Sequence, residues 1–385
     1  MHVIVIGGGL MGLATAYHLA RDGQQVTVLE ARAVGHDRGS SHGPSRIIRL
    51  TYQSADYIAL ARESYRLWGE LADDLGEQLI VPCGGLDFGP PDAKYMAEMR
   101  ASMQLAQVPY DDVDAAEIRR RYPQLRPTED AVGFYQPDFA MLRAGRCIAG
   151  LAAQARAAGA DIREGETVTG VVPDGRGVTV ETAAGPVAGD ACVLANGAWI
   201  GPLLAGLGLT PPLTILKEQL AFFEPVDPAD FLPGRFPLFI SRLPGTTTLA
   251  SGFPIEGEPV GVKCMVDRIG PAVDPADEDR SIIPDIRRRL DEFVLKTVAG
   301  LTGRVVADVS CRYTMTPDED FILDLHPAHP QIVVASACSG HGFKFGVVIG
   351  RILADLATRG ATPHDIDRFR LDRPALTGRW ENSYA

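Results

Sequence analysis

No stretch of the 385-residue chain approaches the roughly 18 consecutive apolar residues of a membrane-spanning helix. A basic leader is missing too. The apolar start, Val3 to Ile6, runs straight into three glycines, as a buried first strand does and a secretory signal does not. Basic residues are outnumbered, 37 Lys and Arg against 49 Asp and Glu. The resulting net charge of −12 argues against a nucleic-acid partner, which would call for a concentrated basic surface. A local basic pocket for an anionic substrate stays compatible with that charge. The six cysteines, Cys83, Cys147, Cys192, Cys264, Cys311 and Cys338, show no CxxC pair and no metal-type spacing. Most of them read as reduced thiols buried as small hydrophobes in a cytoplasmic protein, with no metal. Internal repeats and low-complexity linkers are also absent. What is left is a globular chain, 46% hydrophobic, long enough for two domains.

The first thirty residues read as a βαβ unit: a strand ending at Gly7, a helix over 10–22 and a second strand over 25–30. Apolar spacing through Leu60, Tyr65, Leu67 and Leu71 predicts a helix over 57–75, and 81–88 reads as a strand broken by Gly84-Gly85. An Ala-rich helix over 147–158 stops at Gly159. Strand-like runs follow at 167–172, 178–182 and 191–195. The middle region, 213–306, predicts short strands, many prolines and one charged helix near 284–298. The end returns to an α/β style, with a strand over 332–336, a glycine turn, a helix over 343–358 and an irregular tail from Asp372. Similar α/β segments at the start, middle and end imply interleaved domains rather than two beads on a string.

Gly7-Gly8-Gly9-Leu10-Met11-Gly12 fits GxGxxG between the first strand and helix. Gly7 permits the tight turn, Gly9 lets backbone approach a pyrophosphate, and Gly12 lets helix pack on strand. The helix N-terminus offers N–H groups to phosphates. Glu30 ends the second strand near the spacing at which an acid binds a ribose hydroxyl, with Ala31 and Arg32 following. This fingerprint alone does not separate NAD from FAD.

Further segments make that separation. Ser40-Ser41-His42-Gly43-Pro44-Ser45-Arg46-Ile47-Ile48-Arg49 resembles the SHxxxRIIR stretch of the monomeric sarcosine oxidase and N-methyltryptophan oxidase family. Cys311-Arg312-Tyr313-Thr314 is similar to that family's C-x-Y-T segment. Asp324-Leu325-His326-Pro327 and Ser339-Gly340-His341-Gly342-Phe343-Lys344-Phe345 follow in the family's order, and Val193-Leu194-Ala195-Asn196-Gly197-Ala198-Trp199 resembles its second flavin-contacting turn.

The resemblance implies a fold: an α/β Rossmann-type FAD-binding domain (1–80, 145–212 and 318–371) interleaved with an α+β substrate domain on a mostly antiparallel sheet (81–144 and 213–317), then a tail, 372–385. It implies FAD held by Gly7, Gly9, Leu10, Met11, Gly12, Glu30, Ala31, Arg32, Ser40, His42, Ser45, Arg46, Ile47, Asn196, Gly197, Trp199, Gly340, His341, Gly342, Phe343 and Lys344, with a thioether from Cys311 to the 8α-methyl. That bond needs a thiolate, which nearby cations favour.

Arg49 and Lys344 match the family's substrate-carboxylate clamp, chemistry that suits a bidentate guanidinium and a point charge. Lys344 falls in the first turn of the expected helix, a poor place for a cation unless it serves an anion. Lys263 matches the lysine that activates oxygen. Ser251 and Asp267 stand where sarcosine oxidases carry a tyrosine and a histidine, so the amine side is altered while the clamp is kept.

The implied reaction is oxidation of a secondary amino acid's C–N bond to an imine that hydrolyses, with dioxygen reduced to hydrogen peroxide. A cyclic or bulkier amino acid (proline, pipecolate, N-methyltryptophan) or a dehydrogenase reaction are alternatives. The implied partners are a small carboxylated amine and dioxygen, not nucleic acid or membrane, and the implied state is a monomer.

Overall fold

The computed structural model describes residues 1–91, 94–175, 177–243 and 248–377. Valine-rich runs bounded by glycine turns form a six-stranded sheet. Its order is Ile322–His326, His329–Ser336, Ala191–Leu194, His2–Ile6, Gln25–Glu30 and Asp161–Glu164. All neighbours are parallel except the hairpin formed by the first two. Because strand side chains alternate, Val3, Val5, Val26 and Val28 face helices. Ile4, Ile6, Leu29, Cys192 and Leu194 instead face a small sheet of Val168–Pro173, Val178–Thr182 and Val187–Gly189.

The first helix, Leu10–Arg21, packs against the last, Gly346–Arg359. A Cβ at Gly346 would lie 2.4 Å from Leu10, and one at Gly350 would lie 2.5 Å from Ala14, so glycine sets how closely these helices cross. Ala144–Ala157 also packs on the first helix.

The second large sheet has eight strands: Leu301–Met315, Thr214–Pro225, Val262–Val266, Leu249–Phe253, Leu238–Arg242, Gly85–Gly89, Val132–Gln136 and Asp111–Asp114. It is antiparallel except where Leu238–Arg242 meets Gly85–Gly89. The short strands expected in the middle region are Leu238–Arg242, Leu249–Phe253 and Val262–Val266, five residues each. The expectation is corrected for Thr214–Pro225, with 12 residues, and Leu301–Met315, with 15. Much of the latter strand's first half is exposed and polar, which hides the apolar run that a long strand is read from. One face packs Phe223, Phe239, Val262 and Val266 on Leu290, Phe293 and Val294 of the helix Pro284–Thr297. The other face roofs the main cavity. A third sheet, Ser45–Ile48, Ala140–Arg143 and Ile80–Pro82, carries Arg46 and leads into Arg49.

Two boundaries also move. The last helix starts at Gly346 rather than 343, because Phe343–Phe345 winds as a 3-10 turn first. The start of the expected irregular tail is anchored: Arg373 donates to Asp318 at 2.7 Å and to the Phe321 carbonyl at 2.7 Å. Residues 378–385 of that tail lie outside the described residues. Among the described residues, no helix is long and apolar enough to cross a membrane.

Candidate active site

A cavity of about 1340 Å³ runs from the end of the parallel sheet to the face of the antiparallel one. That exceeds the roughly 300–1,000 Å³ of a common small-molecule pocket, leaving room for a dinucleotide and a second ligand.

At the parallel-sheet end, the wall is backbone. Gly7 takes φ +104°, and a Cβ at Gly12 would sit 1.8 Å from the Gly7 carbonyl oxygen, so neither position admits a side chain. Gly7, Gly9, Leu10 and Met11 line the cavity, while Gly12 stands behind them. Leu10 N–H donates to Ser41 Oγ at 3.1 Å. Glu30 accepts from the backbone N–H of Gly8 at 2.6 Å and of Arg32 at 2.8 Å, and still faces the cavity beside Ala31 and Arg32. A carboxylate has about four lone-pair sites, so two remain for a ribose hydroxyl. Asn196, Gly197 and Trp199 close the opposite side. The Asn196 amide donates to the Trp199 carbonyl at 2.9 Å.

The middle is polar. Ser40, Arg46 and Ile47 line it. Ser40 Oγ donates to the Arg312 carbonyl at 2.6 Å. Arg46 donates to the carbonyls of Ser45 at 2.9 Å, Ser40 at 3.1 Å and His42, and lies over Phe343 at 5.3 Å. His42 and Ser45 do not reach the cavity wall. His42 faces Arg280 at 3.3 Å, and burial followed by Arg46 and Arg280 pushes it down to about 4. The glycine turn brings Gly340, His341, Gly342, Phe343 and Lys344 to the wall. The His341 ring packs on Phe321 at 4.8 Å and Tyr57 at 5.2 Å.

Strand alternation builds the roof. Lys263, Met265 and then Asp267 share one face of their strand, joined by Ser251, Phe253, Ile240, Arg242, Leu220 and Cys311 from the neighbours. Lys263 pairs in register with Phe253, and its ammonium lies 4.0 Å over that ring and 2.7 Å from the Ser45 carbonyl. Burial, then Arg46, pushes Lys263 well below the usual lysine range. Cys311 is buried among Leu220, Phe222 and Met265. Its thiol is pushed up to about 12 by burial, against the pull of Arg46 and Lys263. The expected cations are therefore in place, but in the protein alone desolvation outweighs them.

The roof meets the floor at a buried charge cluster. Arg49, 8% exposed, donates to Thr51 Oγ1 at 2.7 Å, faces Asp87 at 3.4 Å and stacks on Tyr52 at 4.4 Å. Burial alone would lower its pKa; Tyr95, Tyr52 and Asp87 outweigh that and hold it above the ordinary value. Lys344 sits 5.5 Å from the same Tyr52 ring and donates to the His341 carbonyl at 2.7 Å. Burial and then Arg49 push Lys344 well down, with Asp267 opposing. Asp267 is itself pushed up by burial, despite Arg268, Tyr313 and Lys344.

Asp87, Tyr95, Arg242 and Arg268 line or support this end and were not singled out from the sequence. A lone acid in Gly85-Leu86-Asp87-Phe88-Gly89 was the available cue, since a charge in an apolar strand needs a partner. Among the described residues, no group of three or more His, Cys, Asp or Glu is placed to hold a metal ion.

Among the described residues, six buried polar atoms of cavity-lining residues have no hydrogen-bond partner: Tyr52 hydroxyl, Asn196 Oδ1, Arg242 Nε, Arg268 Nε, Thr314 Oγ1 and His341 Nδ1. Buried polar groups are normally paired, so these await a polar ligand running the cavity's length, and a flavin dinucleotide supplies one. A glycine-turn cradle on a parallel sheet, continuous with a cation-bearing roof, defines a flavin-dependent enzyme. The chain belongs to the family of FAD dependent oxidoreductases, whose pattern matches residues 2–356. Within it, the chain is 36% identical to a monomeric sarcosine oxidase of Streptomyces avermitilis, over 95% of this chain and 96% of that one. It is 31% identical to an N-methyl-L-tryptophan oxidase of Salmonella arizonae, over 96% and 98%. The solved structure of NikD, an unusual amino acid oxidase essential for nikkomycin biosynthesis, superposes with a TM-score of 0.85 at 31% identity, over 96% of each chain.

Proposed function

We propose that the protein is an FAD-dependent oxidase of secondary, N-methyl or N-alkyl, amino acids, acting as a cytoplasmic monomer. It would oxidise the C–N bond to an imine that hydrolyses, while dioxygen is reduced to hydrogen peroxide. The observation that carries this reading is the placing of Arg49 and Lys344 around one ring, Tyr52, within the cavity that also holds the glycine cradle. FAD, when bound, takes up the two electrons removed from the amine and passes them to oxygen.

The nucleotide is held by the turn of Gly7, Gly9 and Gly12, by Glu30 and by the segments around Arg46, Asn196 and Gly340, with a thioether at Cys311. Arg49 offers a planar pair of N–H donors to the carboxylate, and Lys344 a point charge. Both are buried, so the carboxylate they receive loses its water and the reacting carbon is fixed in place. Lys263 is the cation for an oxygen gaining negative charge. Burial favours its neutral form, so growth of an anion beside it is what favours the proton. Ser251 and Asp267 shape the amine side. The two large sheets serve as the cores of interleaved FAD-binding (1–80, 145–212, 318–371) and substrate (81–144, 213–317) domains.

Peroxide release across sarcosine, longer N-alkyl glycines, proline, pipecolate and N-methyltryptophan tests the reaction. Failure of every amine to release peroxide under air sinks it. Acid precipitation tests the link: the yellow colour stays with the denatured wild type and leaves with Cys311→Ala. Colour in the wild-type supernatant overturns the covalent claim.

A further inference from the structure

Among the described residues, four Lys and Arg side chains that line the cavity face no carboxylate: Arg46, Lys263, Lys344 and Arg242. Three are otherwise engaged. Arg46 donates to three carbonyls, Lys263 to that of Ser45 and Lys344 to that of His341. Each also has a place in the proposed reaction. Arg242 has neither. Its guanidinium carbon lies over the Tyr95 ring, 4.1 Å from the centroid, and its buried Nε has no hydrogen-bond partner among the described residues.

Its position relates it to the clamp. The Tyr95 hydroxyl donates to Asp87 at 3.2 Å, and Asp87 faces Arg49 at 3.4 Å, so Tyr95 and Asp87 stand between the two guanidinium groups. Arg49 already has a counter-charge within the protein, as does Arg268, which faces Asp267 at 3.2 Å and Glu319 at 2.5 Å. Among the described residues, Arg242 is the guanidinium on this wall left without one. Beyond it the field stays positive. A second cavity, of about 420 Å³, shares Arg242 and Thr248 with the first and is lined by Arg126, Arg289 and Lys296. Its one acid among the described residues, Glu292, is held by Arg288 at 2.9 Å. On a chain of net charge −12 this is a local reversal of sign.

We propose that the substrate carries a second anionic group besides its amino-acid carboxylate, and that Arg242 receives it. A guanidinium held over an aromatic ring is already oriented, so it can bind a carboxylate at little ordering cost. The substrate class is thus a secondary amino acid with two acidic groups, the second on the nitrogen substituent or on the side chain. This rests on the amino-acid oxidase reading above, which it narrows.

The test uses the flavin-loaded protein and two unreactive thioether acids, (methylthio)acetate and thiodiacetate, with binding read from the flavin's visible absorption. Thiodiacetate binds about 30-fold more tightly or better, and Arg242→Met abolishes that advantage while (methylthio)acetate stays within about threefold. Arg242→Lys restores part of it. Thiodiacetate without an advantage, or with one that survives Arg242→Met, overturns the proposal.

Turnover then separates the two placements. Iminodiacetate outperforming sarcosine puts the second acid on nitrogen, and N-methylaspartate doing so puts it on the side chain. If sarcosine is oxidised and neither diacid outperforms it, the proposal fails. An Arg242-dependent preference for thiodiacetate, with no amine oxidised at all, removes the oxidase reading and keeps the two-acid site.

Discussion

At the parallel-sheet end of the cavity, recognition is prepared by what side chains do not occupy: Gly7 and Gly12 leave backbone exposed, and the acid of the second strand, Glu30, is fixed by backbone N–H groups. At the antiparallel end, recognition is prepared by charge taken out of water, with Arg49, Asp87, Lys344, Asp267 and Lys263 all buried or nearly so. The first arrangement costs conformational freedom in a few glycines. The second costs desolvation of several ions, which a bound anion partly offsets. One end is therefore sensitive to added volume, the other to removed charge.

The largest effect expected follows from volume. Gly12→Ala puts a methyl against the Gly7 carbonyl, where backbone has to yield, so the purified protein emerges colourless. A variant with full flavin absorbance would break the contrast at this end. Next comes charge. Arg49→Met removes the clamp and leaves Asp87 without its counter-ion, so kcat/KM falls by roughly 10²- to 10³-fold, as for truncating one member of a buried ion pair. Flavin content stays near that of the wild type. Smaller again is Lys263→Met, with oxygen-dependent reoxidation slowed roughly 10²-fold in stopped flow and the anaerobic half-reaction almost unchanged. Equal slowing of both halves would place Lys263 with the clamp instead.

The least effect on activity is expected at Glu218, which pairs across strands with Cys311 and accepts from the Gly270 N–H at 3.0 Å. Burial, then Asp267, pushes Glu218 up to about 7. Between pH 4.5 and 7 the folded protein keeps a proton that the unfolded chain has released, so stability falls as pH rises through that window. The full loss, about 3 kcal/mol, is reached near pH 7. Glu218→Gln removes this term. His18 and His42, each pushed down to about 4 by burial first, act oppositely, losing stability as pH falls from 6.5 toward 4. They are common to both proteins, so urea unfolding of wild type and variant at pH 5 and pH 7 isolates Glu218.

The same contrast governs how much could be read beforehand. The turn and the acid of the nucleotide end lie within the first thirty residues, and their backbone demands appear directly as glycines and one acid at fixed spacing. The sheet end is assembled from stretches scattered along the chain, and register rather than local sequence puts Lys263 against Phe253 and Ile240 against both Ser251 and Asp87. Every residue of Val262–Val266 is buried, so apolar-polar alternation, the usual sign of which way a strand faces, is lost there. Arg49, Lys263 and Lys344 were reached through family resemblance. Asp87 and Arg242 had no such route, since their meaning depends on which charges are already satisfied in three dimensions.

The crossing of the first and last helices bears on biosynthesis. Leu10 and Ala14 rest on Gly346 and Gly350, and the opening strand pairs with Ala191–Leu194, which pairs in turn with His329–Ser336 near the end of the chain. A ribosome thus releases the nucleotide-binding turn long before the chain that completes its surroundings has been made. Until then the first strand and helix have apolar surface with nothing to cover it, the condition in which nascent chains aggregate or recruit chaperones. Cofactor loading belongs to the finished polypeptide, and a message truncated before Gly346 yields protein without flavin, whatever the integrity of its glycine turn.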